Sequence, residues 1–216
     1  MRVVAVSDTH LNHDFVVPDG DVFIHCGDAT MDGRPEQLEI VGEWFAALPH
    51  RHKIVIAGNH ERTFERFESF PKRYWPAITY LQDSGVVVEG LNIYGSPWQP
   101  EFNGWAFNLP RGESLARKWR LIPDDTDILI THGPPLGILD TVRGESRQLG
   151  CADLLARVLS VKPMAHLFGH IHSARGVKEQ HGILFANASI CDERYKARHA
   201  AIVLEVSRGR ASIISQ

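Results

Sequence analysis

Lys53-Ile54-Val55-Ile56-Ala57-Gly58-Asn59-His60-Glu61 is the stretch to which the rest of the chain can be referred. Its first five residues form a mostly β-branched apolar run, which predicts a buried strand. The run stops at a glycine, whose missing side chain permits a tight bend. An amide, an imidazole and a carboxylate then follow on successive residues. Open α/β sheets place their chemistry just past the carboxyl ends of their strands. Three other strand-like runs stop in the same way: Val3–Val6 before Ser7-Asp8-Thr9-His10, Val22–Ile24 before Gly27-Asp28, and Ile128–Ile130 before Thr131-His132. A shorter piece, Leu167-Phe168, leads into Gly169-His170-Ile171-His172. Metal-ligating residue types recur where strands stop, and convergence on a metal is the simplest physical reason.

Strand and helix signals alternate around these points. Arg2–Val6 and Asp21–His25 read as strands, and residues 35–48 as a helix with Leu38, Val41, Phe45 and Leu48 on one face. With 53–57 as the next strand, this βαβ-like order predicts a parallel sheet. Residues 61–70 are helix-compatible and end before Pro71; 79–81, 86–89 and 91–94 read as short strands. Residues 96–107 hold Pro97, Trp98, Pro100, Phe102, Trp105 and Phe107, an aromatic loop with too much proline for a helix or a central strand. Further on, 112–121 and 152–159 read as helices, the second stopping before Pro163, and 127–131 as a strand. The tail at 183–186, 200–206 and 211–214 reads as strands, the last two joined through Ser207-Arg208-Gly209 as a hairpin. Early βα units and a late β-rich run suit two packed sheets with helices outside.

At 216 residues the chain is expected to be a single domain spanning 1–216, large enough to bury about 70% of its unfolded surface. A net charge of −3 provides no basic footprint, which argues against a long nucleic acid as partner. No run is apolar for long enough to span a bilayer, and no secretory leader is read at the start. Cys26, Cys151 and Cys191 are odd in number and widely spaced, which suits a reducing cytoplasm rather than a disulfide framework.

Asp8 and His10 stand two positions apart, so in an extended segment their side chains share one face and reach one metal. Asp28 offers a carboxylate able to bridge two cations, and Asn59, His132, His170 and His172 complete a mixed oxygen and nitrogen set. No thiolates have the spacing of a closed zinc site, which leaves catalytic cations such as Mn, Fe, Zn or Ni. Seven ligands exceed one ion; shared through Asp28 they serve two. Each residue taken singly has an ordinary reading: Asp8 as a helix N-cap, Asp28 and Asn59 as turn residues, His132 as a core histidine. Only their conjunction makes a site.

Asp8-x-His10, Gly27-Asp28, Gly58-Asn59-His60-Glu61, His132 and Gly169-His170-x-His172 together resemble the signature of the calcineurin-like metallophosphoesterase superfamily, in its order. Thr131-His132-Gly133-Pro134-Pro135, Gly137-Ile138-Leu139-Asp140 and Asn187-Ala188-Ser189 resemble its MPPED-like branch. The resemblance implies an α/β fold, a four-layer α/β/β/α sandwich with a two-metal site at the strand ends. By motif, one ion (manganese first) is held by Asp8, His10, Asp28 and His172, and the other by Asp28, Asn59, His132 and His170. Two cations about 3.5–4 Å apart activate a bridging hydroxide and hold phosphate oxygens for in-line displacement. His60 resembles the family's catalytic histidine, acting beside Asp28; Asn59, His60 and His172 border the substrate.

The implied activity is hydrolysis of small phosphodiesters such as cyclic nucleotides. Phosphomonoesters or phosphoproteins are the alternative substrates, and a nucleotide-binding scaffold with weak activity ranks below both because every ligand position is filled. Oligomeric state is set by none of these residues. Trp98 is the first candidate for stacking on a nucleobase, with Trp105 beside it. Arg143, Arg147 and Arg194 read as surface charge before phosphate contacts. His25 lies close enough to Asp28 to orient ligands, and Glu61 reads as a turn cap or ligand-orienting group.

Overall fold

A computed structural model describes residues 1–207 and 209–215, and among these residues two six-stranded sheets carry the fold. In chain order the first half runs β1 (Arg2–Val6), β2 (Val22–His25), α1 (Pro35–Ala47), β3 (His52–Val55), α2 (Arg62–Arg66), α3 (Phe70–Tyr74), β4 (Thr79–Tyr80), β5 (Ser84–Val88) and β6 (Leu91–Ser96). The second half runs β7 (Gln99–Pro100), β8 (Asn108–Leu109), α4 (Glu113–Trp119), β9 (Ile128–Thr131), α5 (Ala152–Val161), β10 (Ala165–Phe168), β11 (Gly176–Gln180), β12 (Ile183–Asn187), β13 (Ile202–Ser207) and β14 (Arg210–Ser215). The sheet orders are β14-β13-β1-β2-β3-β4 and β11-β12-β10-β9-β6-β5. Arg208, in the expected hairpin turn, lies outside the described residues.

Alternation along each strand explains the layering. Val3 and Ala5 face the second sheet, in one cluster with Ile93, Ile130 and Leu167. Val4 and Val6 face the other way and meet Leu38, Val41 and Phe45 of α1. On the far side, Leu129, Phe168 and Phe185 meet Leu115, Trp119, Leu154 and Val158 of α4 and α5. A strand covered on both faces must be apolar on both, which is why these runs are continuous rather than alternating. The four-layer α/β/β/α order is therefore as expected. Each large side chain so buried contributes about 1.5–3 kcal/mol.

Parallel pairing aligns the strand ends. β1 to β4 are mutually parallel, as are β6, β9, β10 and β12. A parallel bridge between Ser7 and Ser189 ties the exits of β1 and β12 together, so both sheets present their carboxyl ends at one edge of the sandwich.

Local differences from the sequence reading have local causes. The expected helix over 61–70 is two short ones, and Pro71 lies inside the first turn of α3 rather than ending a helix. A first-turn proline loses no hydrogen bond, because that N–H has no helical partner. β11 carries no apolar run; its pairing with β12 makes it a strand. The proline-rich loop contributes the two-residue parallel pair β7–β8.

Candidate metal centre

The loops leaving β1, β2, β3, β9 and β10 meet at that common edge, and they are not extended. Asp8 (φ +52°), His10 (φ +45°), Asp28 (φ +56°) and His170 (φ +71°) all adopt left-handed backbone, a conformation costing an ordinary residue about 1–2 kcal/mol. The expectation that Asp8 and His10 share the face of an extended segment is thereby corrected. The chain coils after Val6, held by Asp8 N–H to the Gly27 carbonyl (2.9 Å) and His10 N–H to the Asp28 carbonyl (3.1 Å). Convergence is achieved by loop-to-loop pairing instead of strand pleat.

Donor atoms gather in three overlapping groups, each within 4.8 Å: Asp8, His10 and His172; His10, Asp28 and His60; Asp28, His132 and His170. Asp28 is common to two of them. Its Oδ2 lies 3.3 Å from His132 Nε2 and 3.8 Å from His60 Nε2. Asn59 joins the last group, with Oδ1 2.9 Å from His132 Nε2. All seven expected ligands and His60 are thus brought together.

The histidine tautomers are set from behind. Nδ1 of His10 lies 3.1 Å from the Thr30 carbonyl, that of His132 2.9 Å from the Cys26 carbonyl, and that of His172 2.9 Å from the Asp192 carbonyl. A carbonyl only accepts, so each ring donates from Nδ1, and in its neutral form each turns an Nε2 lone pair inward. His60 follows the same rule through the Met31 carbonyl. Two such nitrogens, His10 Nε2 and His172 Nε2, face each other at 3.3 Å with Asp8 Oδ1 at 3.4 Å from the second. With both rings neutral, lone pairs aim at one another in a buried place, and a shared cation relieves that opposition. This donor set fits a divalent metal of the imidazole- and carboxylate-binding kind.

Charge follows the same logic. Burial alone would raise the Asp8 carboxyl, yet hydrogen-bonded His172 and the nearby His132 and His10 hold it well below the usual carboxylate range. Asp28 is likewise lowered against its burial, chiefly by His132 and His60. Burial opposes charge on His132 and His172, but Asp28 and Asp8 respectively lift them to about 9. Burial dominates at His10 and His170, which fall to about 4 and 3.

Glu61 clamps two of the loops. Its carboxylate accepts from Gly58 N–H (2.7 Å), Asp28 N–H (3.0 Å), Thr30 N–H (2.9 Å) and the Thr30 hydroxyl (2.8 Å). Asp28 in turn accepts the His60 N–H at 2.8 Å. Asp8 accepts Ser189 Oγ–H at 2.8 Å and His170 N–H at 2.9 Å. His25 bridges Gly27 N–H (3.2 Å) and the Thr9 hydroxyl (3.0 Å), the orienting place expected for it. Two glycines are obligatory here: a Cβ on Gly58 would stand 2.3 Å from Asp28 Oδ1, and one on Gly169 2.1 Å from Asp8 Oδ2.

Trp98 is not brought to the centre. Its indole N–H donates to Asp83 (2.8 Å), Lys118 Nζ sits 4.2 Å from its ring, and Phe107 packs against it. Trp105 takes the inner place, its ring 4.3 Å from that of His60, with Arg62 on the indole at 4.3 Å. Sequence reasoning missed Tyr195, which approaches His10 edge-on at 4.7 Å and His172 at 5.6 Å. Nothing in Glu193-Arg194-Tyr195-Lys196 signals that position; only the return of the chain past β12 does.

Three comparisons bear on what this arrangement is. The family model described as calcineurin-like phosphoesterase matches residues 1–174. Human metallophosphoesterase domain-containing protein 1 is 45% identical over 98% of this chain and 72% of its own length. Among solved structures, one crystal structure superposes with a TM-score of 0.74 at 15% identity, covering 98% of this chain and 97% of the other. Another, of an archaeal phosphodiesterase, reaches 0.53 at 15% identity over 99% of both chains. Those last two likenesses concern the fold alone. With the motifs, the layered fold and the converging donors in hand, the chain belongs to the calcineurin-like phosphoesterase family, in its MPPED-like branch.

Proposed function

We propose that this phosphoesterase is a dinuclear enzyme that hydrolyses small phosphodiesters, cyclic nucleotides among them. The observation carrying this reading is the place of Asp28, one carboxylate shared between a donor group with His10 and another with His132 and His170. On this reading Asp8, His10, Asp28 and His172 hold one cation, and Asp28, Asn59, His132 and His170 hold the other. Manganese is the first choice, with iron, zinc or nickel as alternatives of similar ligand taste. Such cations, when bound, supply the nucleophile from water and neutralise phosphate charge. The chain's own residues do the rest. Asn59 and His172 border the substrate, and His60, oriented by the Met31 carbonyl and Trp105, is placed in its imidazolium form to give its Nε2 proton to the departing oxygen or to stabilise charge developing on phosphorus.

No helix among the described residues is long and apolar enough to cross a membrane. Cys26, Cys151 and Cys191 are buried free thiols, which suits the cytoplasmic setting we assign. The test is metal analysis of the purified protein together with turnover of bis-p-nitrophenyl phosphate and p-nitrophenyl phosphate. Two ions per chain and preference for the diester are expected, with loss of turnover on chelation. One ion per chain removes the dinuclear reading; preference for the monoester makes the protein a phosphomonoesterase.

A further inference from the structure

A cavity of about 330 Å³ opens beside His170, within the usual size range of small-molecule sites. Its walls include Pro100, Phe102, Pro134 and Leu149, with Arg147 at the exposed rim. Phe102 stands edge-on to His170 with ring centres 5.0 Å apart, so cavity and metal centre share a wall. The Leu149 side is braced: Arg111 donates to the carbonyls of Leu149 (2.7 Å) and Gly150 (2.6 Å), which commits that guanidinium to the protein. What remains for a ligand is a slot with Pro100, Phe102, Pro134 and Leu149 as apolar walls, Glu101 also lining it and the Arg147 cation at its mouth. Larger cavities of about 450 and 530 Å³ open among Met1, Asp21 and Val206, and among Lys162, His181 and Arg210. Neither shares a residue with the centre.

The slot lies on a definite side. Asp28 groups with His10 and His60, and again with His132 and His170; the slot's walls include His170 but not His60. His60 is 4.6 Å from His10 ring to ring, and His132 is 5.0 Å from His170. In-line displacement puts the attacking water opposite the departing oxygen and the retained arm to the side; with the departing oxygen at His60, the slot beside His170 is left to the retained arm. Resting on the diester reading above, we infer that this slot seats the ester arm that stays on phosphorus, and that the arm is a flat aryl or heteroaryl group. Hydrolysis joins the oxygen of water to phosphorus, breaks the bond to the leaving oxygen and delivers a proton to that oxygen. The arm in the slot remains on the product monoester. A phosphomonoester has no such arm, so the slot also supplies a physical reason for preferring diesters.

The experiment holds the leaving group constant as p-nitrophenolate and varies the retained arm: none, methyl or phenyl. The metal-loaded protein should show kcat/KM at least about tenfold higher for phenyl than for methyl, mostly through KM, as burial of one ring implies. Product binding supplies a readout independent of turnover: calorimetry should find phenyl phosphate bound more tightly than methyl phosphate. Leu149→Trp, which fills the slot, should cut the phenyl-to-methyl ratio about tenfold in both measurements. Arg147→Ala, at an exposed position with no fold to disturb, should cut it about two- to fivefold through loss of the cation over the ring. Equal kcat/KM for phenyl and methyl overturns the inference while leaving the hydrolase reading intact. So does a ratio unmoved by Leu149→Trp at unchanged metal content or, should that variant not fold, by Arg147→Ala. Failure of the metal-loaded protein to turn over any of the three esters sinks the hydrolase reading itself, and the inference with it.

Discussion

The two ends of the paired sheets are built on opposite principles. At the carboxyl end, Asp8, Asp28, Glu61 and His132 are all but fully buried, and several residues hold left-handed backbone. At the amino end charges meet in water: the Met1 ammonium pairs with Glu205 at 3.0 Å, and Arg51 with Glu89 at 3.1 Å, with Arg51 78% and Glu89 49% exposed. Buried charge and backbone strain persist only where surrounding bonds over-determine them. Glu61 and the Nδ1-to-carbonyl contacts provide that at one end, and nothing comparable constrains Arg51 at the other. Substitutions should therefore have steeply unequal effects at the two ends.

The largest effect is expected at His60. His60→Ala should retain bound metal but lose about 10²–10⁴ in kcat on phosphodiesters. Metal content beside steady-state rates checks this, and unchanged turnover would remove His60 from the mechanism. Next comes Glu61→Gln, which turns an amide donor toward N–H groups that need an acceptor. Metal affinity should fall about 10–100-fold and stability by about 1–3 kcal/mol, read by metal titration and urea unfolding. A variant as stable and as tight as the parent would show that the clamp is dispensable.

A smaller effect should appear with pH, away from the centre. His166 is buried, its Nε2 2.8 Å from the Thr131 hydroxyl, and burial lowers it from 6.5 to about 3. The unfolded chain takes up a proton below about pH 6.5 that the folded chain refuses, so stability falls as pH drops through that window toward 3. The loss between pH 6.5 and 5 is at most about 2 kcal/mol. His166→Gln keeps a donor for Thr131 and cannot titrate, so the metal-free variant should unfold at a less pH-dependent urea midpoint. Parallel slopes for variant and parent would exclude this histidine as a source of acid sensitivity. The smallest effect belongs to the amino end: Arg51→Ala should cost less than about 1 kcal/mol and leave turnover untouched. A larger loss there would break the contrast between the two ends.

Much of the centre was legible because metal ligation demands particular residue types, and those types stand at strand exits in every case. Asp28 and His132 could be named from sequence because each follows an apolar run that could only be a strand. The tautomer-setting partners were not legible, since the carbonyls of Cys26, Thr30 and Asp192 are carried by any residue. Trp98 and Trp105 are the same residue type in one loop, and composition cannot tell which faces His60. The indole hydrogen bond from Trp98 to Asp83 and the tilted ring contact of Trp105 with His60 separate them.

Sequence alone determined the layered α/β architecture and singled out the candidate donor groups, because hydrophobic periodicity and ligand chemistry are local properties. Only tertiary structure decided how the donors reach one another, through left-handed loops rather than the expected extended segment. It also decided that Tyr195 leans on His10 and that a slot with apolar walls opens beside His170. Those outcomes depend on contacts between segments remote in the chain, such as Asp8 with Ser189 and Phe102 with His170, and no local pattern encodes a distance.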